Sequence, residues 1–143
     1  TAFDFLGRGI AQAVYGDQDS LYVFDGKTGD VNLRTARASG TYIEYPVVAD
    51  VDNDQSADIL VVSNSNYLGG EYKVTLEVFE DTERRWIPTR RIWNQHAYHV
   101  TNVREDGTIP AKMGKSWQRQ NTFRTNTQID GNGDCTPLPP NPK

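Results

Sequence analysis

The chain holds one cysteine among its 143 residues, so no internal disulfide staples it, and stability has to come from packing and from any bound metal. Histidine is almost as scarce. The two present, His96 and His99, are spaced H-x-x-H with no third ligand nearby and no H-E-x-x-H pattern, so they read as packed, hydrogen-bonded residues and not as a zinc site. No serine lies in a G-x-S-x-G elbow, and Cys135 falls in an irregular proline-rich tail, which leaves no nucleophilic triad. Carboxylates are plentiful, and counting alone does not exclude a glycosidase pair, although nothing points to one. No run approaches the roughly 18 apolar residues of a membrane span, no signal-peptide pattern opens the sequence, and Asn-x-Ser/Thr sequons are absent. Basic excess is missing too: 15 Lys and Arg face 19 Asp and Glu, a net charge of −4 that gives no general attraction to nucleic acid. The pairs Arg84-Arg85 and Arg90-Arg91 read as solvated strand positions. What remains, 36% hydrophobic and 24% charged, is the composition of one soluble globular unit.

Within it, residues 50–58 read Asp-Val-Asp-Asn-Asp-Gln-Ser-Ala-Asp between two short valine-rich stretches. A hard cation such as Ca²⁺ takes six to eight oxygens, and a D-x-D-x-D turn delivers Asp50, Asp52 and Asp54 to one point, with Asp58 and the Ser56 carbonyl available to complete the shell. Without a cation the four carboxylates repel, each pair by roughly 0.8 kcal/mol at about 5 Å in water. An EF-hand does not fit, because its twelfth position would be Val61 in place of a bidentate Glu and its sixth is Gln55 in place of Gly. The flanks read as strands, not helices, so the motif is a strand-loop-strand calcium site. Calcium is abundant outside cells and scarce in the cytosol, which points to an extracellular or cell-surface location.

Sliding the chain by 46 residues brings Asp4 onto Asp50 and reveals a repeat. Each copy runs from a loop into an apolar strand and then an alternating one, 21–25 in the first copy and 76–80 in the second. Residues 26–29, Gly-Lys-Thr-Gly, form a tight turn into a further strand over 30–35, and an insertion over 64–73 reads as an exposed hairpin tip. In the first loop Leu6, Arg8 and Gln12 replace Asp52, Asp54 and Asp58, so it is expected to bind no calcium and to persist as a turn stabilised by Gly7 and Gly9. A period of about 40–50 residues with several short strands per unit predicts an all-β fold of propeller blades, each an antiparallel four-stranded sheet. Four blades of about 40–45 residues need more chain than this, so a partial propeller is expected, completed by further blades of a parent or by another chain. The expected divisions are 1–46, a first repeat with a degenerate loop; 47–92, a second repeat with an intact loop; 93–127, a closing-blade segment; and 128–143, a proline-rich tail or linker.

The 50–58 loop, the stretch Val-Phe-Asp-Gly-Lys-Thr-Gly over 23–29, the stretch Glu-Tyr-Pro-Val-Val-Ala-Asp-Val-Asp over 44–52 and the segment 86–103 together resemble the FG-GAP or VCBS (integrin-α-like) propeller repeat of large secreted bacterial proteins. The resemblance implies that Ca²⁺ braces the blade and that the propeller serves adhesion, ligand binding or assembly. Gln55 departs from the glycine usual in that pattern.

The aromatic residues Trp86, Trp93, Tyr98, Trp117 and Phe123 are expected in the core, with sugar stacking as the alternative for any left exposed. Residues 130–134, Asp-Gly-Asn-Gly-Asp, begin like a second calcium loop, or else form a turn opening a proline-rich linker; Cys135 pairs with another chain or stays a free thiol. The expected function is therefore a non-enzymatic calcium-stabilised module. The alternatives are part of a polysaccharide lyase using Arg90, Arg91, His96 or His99, and a filament subunit.

Overall fold

A computed structural model of the chain describes residues 1–41, 43–64, 74–118 and 122–129. The expected hairpin tip beyond Asn64, the 130–134 loop, Cys135 and the proline-rich tail lie outside these residues. Within the described residues seven strands form two antiparallel sheets: β1 (Ala2–Phe3), β2 (Gln12–Gly16), β3 (Ser20–Phe24) and β4 (Val31–Ala36) in the first, then β5 (Val47–Ala49), β6 (Asp58–Val62) and β7 (Leu76–Phe79) in the second, each a simple meander. Among the described residues the only helical element is a 3-10 turn, Ser116–Gln118.

The repeat survives at the level of register. Ala2 pairs with Ala13 and Phe3 with Gln12, just as Val48 pairs with Ile59 and Ala49 with Asp58, a shift of 46 on both strands. Ala13 pairs with Phe24 and Val14 with Val23, as Ile59 pairs with Phe79 and Leu60 with Val78. The Asp25 turn between β3 and β4 forms because the Asp25 carboxylate accepts the amides of Lys27 and Thr28, and Gly29 donates to the Asp25 carbonyl. Gly26 is required there for space: a Cβ would lie 1.8 Å from the Ala11 carbonyl oxygen, which is backbone and does not swing aside. Gly26→Ala is expected to destabilise by about 1–3 kcal/mol, read as a lowered urea midpoint with unchanged slope; wild-type behaviour would mean the turn relaxes freely.

Blades of four strands are the expectation, but among the described residues the second sheet has three. The stretch that would supply its fourth edge, 86–91, contains Pro88, which has no amide to donate to a ladder. It leaves the sheet and threads between the two loops: Ile87 donates to the Phe5 carbonyl (2.8 Å), Ala57 to the Ile87 carbonyl (3.2 Å) and Asp50 to the Arg90 carbonyl (3.2 Å).

The core collects Phe3, Phe5, Val14, Leu21 and Val23 from the first sheet and Val48, Ala57, Ile59 and Val61 from the second, with Trp86 and Ile87 against it. The two sheets use opposite faces. Val14, Leu21 and Val23 are buried, whereas their counterparts Leu60, Leu76 and Val78 lie on the outer face of the second sheet, with Leu76 57% and Val78 48% exposed. The sheets thus stack head to tail, front of one on back of the next.

Candidate metal centre

The 50–58 loop connects β5 to β6, and its backbone is folded by its own carboxylates. Asp58, the first residue of β6, accepts the Val51 amide (2.8 Å), and Asp50 accepts the Gln55 amide through Oδ2 (3.2 Å). The Asp52 carboxylate accepts the Asp54 amide (3.1 Å), and that of Asp54 the Ser56 amide (2.8 Å). The 4–12 loop has the same wiring: Gln12 accepts the Phe5 amide and Asp4 the Gly9 amide. Gly7 and Gly9 have φ of 61° and 74°; Asn53 and Gln55, their counterparts, are held at 64° and 70°. The left-handed turn is therefore a property of both loops, and Gln55 occupies a conformation that costs a side-chain-bearing residue about 1–2 kcal/mol.

One oxygen each from Asp50, Asp52 and Asp58 lie within 4.8 Å of one another, close enough to hold a metal ion. Asp50 is 3% exposed and its Oδ1 is buried with no hydrogen-bond partner. An anionic oxygen left in that state is expensive, and a cation is the partner its surroundings suit. Burial, and then the charges of Asp52, Asp50 and Asp54, push the Asp58 carboxyl above its ordinary range. The residues present thus fit a hard cation by donor chemistry, charge and an orphaned oxygen. The Ser56 hydroxyl donates to the Trp86 carbonyl (3.2 Å), so any part Ser56 takes falls to its backbone oxygen.

A second group, Asp52, Asp54 and Glu80, meets the same proximity test. Glu80 was not legible from the motif because it comes from the next strand. The hairpin register was the signal: with Phe79 opposite Ile59, the following residue faces Asp58. Arg84 at the rim lies 3.6 Å from Asp54, and Arg91 donates to Asn53 (3.1 Å), so both guanidinium groups stand where they oppose a cation. Arg84→Ala is expected to tighten calcium binding by up to about five-fold, the worth of an exposed pair, in titration calorimetry; an unchanged Kd would show that Arg84 does not compete.

Three sequence readings need correction. Arg90 is not solvated: it is 2% exposed, bonds to Glu105, and donates to Tyr98 Oη (3.2 Å) and to the carbonyls of Val100 (2.9 Å) and Val103 (2.8 Å). The arginine fork is what gathers the irregular segment after β7. The histidines are hydrogen-bonded as expected but less enclosed: His96 is exposed beside the Tyr45 hydroxyl (3.3 Å) and ring, and His99 is half-buried beside the Ala97 carbonyl (3.2 Å). Of the five aromatics, Tyr98 is fully buried with Trp93 stacked on it at 4.8 Å, and Trp86 packs on Phe5 at 4.6 Å, but Trp117 and Phe123 stand in solvent at 68% and 64% exposure.

No family model and no curated protein matches this chain. A crystal structure of the V. cholerae biofilm matrix protein Bap1 does, with a TM-score of 0.81 and 34% identity over 90% of this chain. The chain spans about a fifth of that protein, 22% of its length. No helix among the described residues is long and apolar enough to cross a membrane.

Proposed function

We propose that the chain is a calcium-stabilised β-propeller segment of the FG-GAP or VCBS kind, part of a secreted or cell-surface bacterial protein, serving adhesion or matrix assembly without catalysis. The observation that carries it is the pairing of a head-to-tail sheet stack with an acidic loop whose Asp50 Oδ1 lacks a partner. Sheets stacked front to back leave one face open at each end, and the open faces suit further units of the same kind, as blades do around a ring. Residues 1–46 and 47–92 are then the two repeats, 93–127 the closing segment and 128–143 a proline-rich tail or linker. Asp50, Asp52, Asp54 and Asp58, with the Ser56 carbonyl, hold Ca²⁺, which suits several carboxylates in a flexible loop better than the stricter Mg²⁺. The ion fixes the turn between β5 and β6 and stabilises the blade by mass action. The likeness to a biofilm matrix protein supports the extracellular and adhesive part.

Two measurements separate the parts of this reading. Calcium is expected to raise the melting temperature and chelation to reverse it; a melting temperature indifferent to both would remove the metal. Fluorescently labelled chain is expected to be retained by a bacterial biofilm matrix in calcium and released by chelator. No retention in calcium would remove the adhesive role while leaving the metal intact.

A further inference from the structure

Head-to-tail stacking accounts for the exposed apolar residues on the sheets. It does not account for a second group, on the non-repetitive segment: Ile109 at 59%, Met113 at 58%, Trp117 at 68% and Phe123 at 64% exposure. Their exposure is imposed by anchoring. Ser116 is buried, the Thr101 hydroxyl donates to the Gly114 carbonyl (2.7 Å), and Gln118 donates to the Lys115 carbonyl to close the 3-10 turn. Those anchors leave Lys112, Met113, Lys115 and Trp117 exposed on either side of the buried Ser116. The Phe123 ring sits apart from these, 6.2 Å from that of His99.

Residues 107–118 contain Lys112 and Lys115, both exposed, and no acid, on a chain whose net charge is −4; the exposed Asp106 just before them accepts the Thr108 amide (3.0 Å) and hydroxyl (2.7 Å). Lysine is depleted from the cores of protein–protein contacts, whereas Trp with flanking lysines and aliphatic side chains is the composition of a membrane–water boundary. Acidic polysaccharide would engage the lysines and stack on Trp117 but has no use for Ile109 and Met113, which need hydrocarbon. We propose that this patch docks on an anionic lipid surface, with Trp117, Met113 and Ile109 entering the headgroup layer and Lys112 and Lys115 meeting lipid phosphates.

The test is co-sedimentation of the full chain, at one fixed calcium concentration, with vesicles of phosphatidylcholine alone and of phosphatidylcholine carrying phosphatidylglycerol. Binding is expected only to the anionic vesicles, with Trp117 quenched by brominated acyl chains and no quenching in Trp117→Phe. Lys112→Gln with Lys115→Gln is expected to weaken binding about thirty-fold, from roughly five-fold per basic residue at a lipid surface. Met113→Ser with Trp117→Ser is expected to abolish it while leaving melting unchanged. Failure to bind, equal binding to both vesicles, or full binding by the serine variant would overturn the proposal. So would capture by polygalacturonate with the same lysine dependence, which would assign the patch to sugar.

Discussion

In chelator, Asp58→Asn is expected to melt a few degrees higher than the parent chain, and in saturating calcium several degrees lower. The inversion follows from what Asp58 does in each state. Without metal, its carboxyl is pushed up by burial and by three neighbouring carboxylates, so the fold disfavours its charge. A carboxyl whose folded value lies above its unfolded one contributes most at low pH, and that contribution is lost as pH rises through the folded value. At neutral pH the ionised form is thus a liability, which asparagine removes. Its one bond to the backbone, from the Val51 amide, needs only a neutral carbonyl; Gln12 already does this for Phe5 in the other loop. With metal, asparagine forfeits an anionic ligand. At a calcium concentration 100 times Kd the ion contributes about 2.7 kcal/mol, and a chain of this size shifts by roughly 2–4 °C per kcal/mol, so much of a shift of about 5–10 °C disappears. Differential scanning calorimetry in both buffers reads the result. A variant that melts lower in both would reduce Asp58 to a backbone acceptor with no ion to hold.

Arg90→Met is expected to cost about 3–5 kcal/mol, because it removes the fork and leaves the Val100 and Val103 carbonyls buried without their donor. At roughly 2–4 °C per kcal/mol the melting temperature falls by about 10 °C. The near-ultraviolet signal of the Trp93–Tyr98 stack should weaken, and protease cuts should concentrate in residues 93–118, while the sheets keep their far-ultraviolet spectrum. Glu105→Gln, whose side chain is 52% exposed, should cost about 1 kcal/mol or less. If Arg90→Met melted normally and instead altered the binding of a polysaccharide, the structural assignment of Arg90 would be wrong.

The contrast between these two residues shows what was legible in the sequence. The strands and the acidic loop could be read because their signals are local: alternation and valine content for β2, β3 and β6, strict carboxylate spacing for Asp50 to Asp54. The repeat was legible from a single offset, which the register of β1 and β2 against β5 and β6 follows, whereas β7 is displaced further by the insertion before it. Arg90 was misread because nothing adjacent to it announces that it is buried; its partners come from Tyr98 onward, along a segment with no period. Glu80 was missed for a related reason, since a carboxylate carried at the end of the next strand is found only once the hairpin register is known. The shortened second sheet was signalled by Pro88, yet the destination of 86–91, between the loops, depends on distant carbonyls such as that of Phe5. Rings usually pack, so the sequence predicts Trp117 and Phe123 inside; the buried Ser116 beside Trp117 reverses the expectation, and no pattern of residue types encodes that.

A contact made between the front of one unit and the back of the next carries both of its halves on every copy. Duplicating such a unit in a gene therefore supplies a ready-made joint at each end, and deleting one leaves the remaining pieces compatible. Chains of this kind can change length over evolution without inventing a new seam. Individual turns are then free to differ, as the one holding Leu6 and Arg8 does from its acidic counterpart, because its hydrogen-bonded frame needs only Asp4 and Gln12.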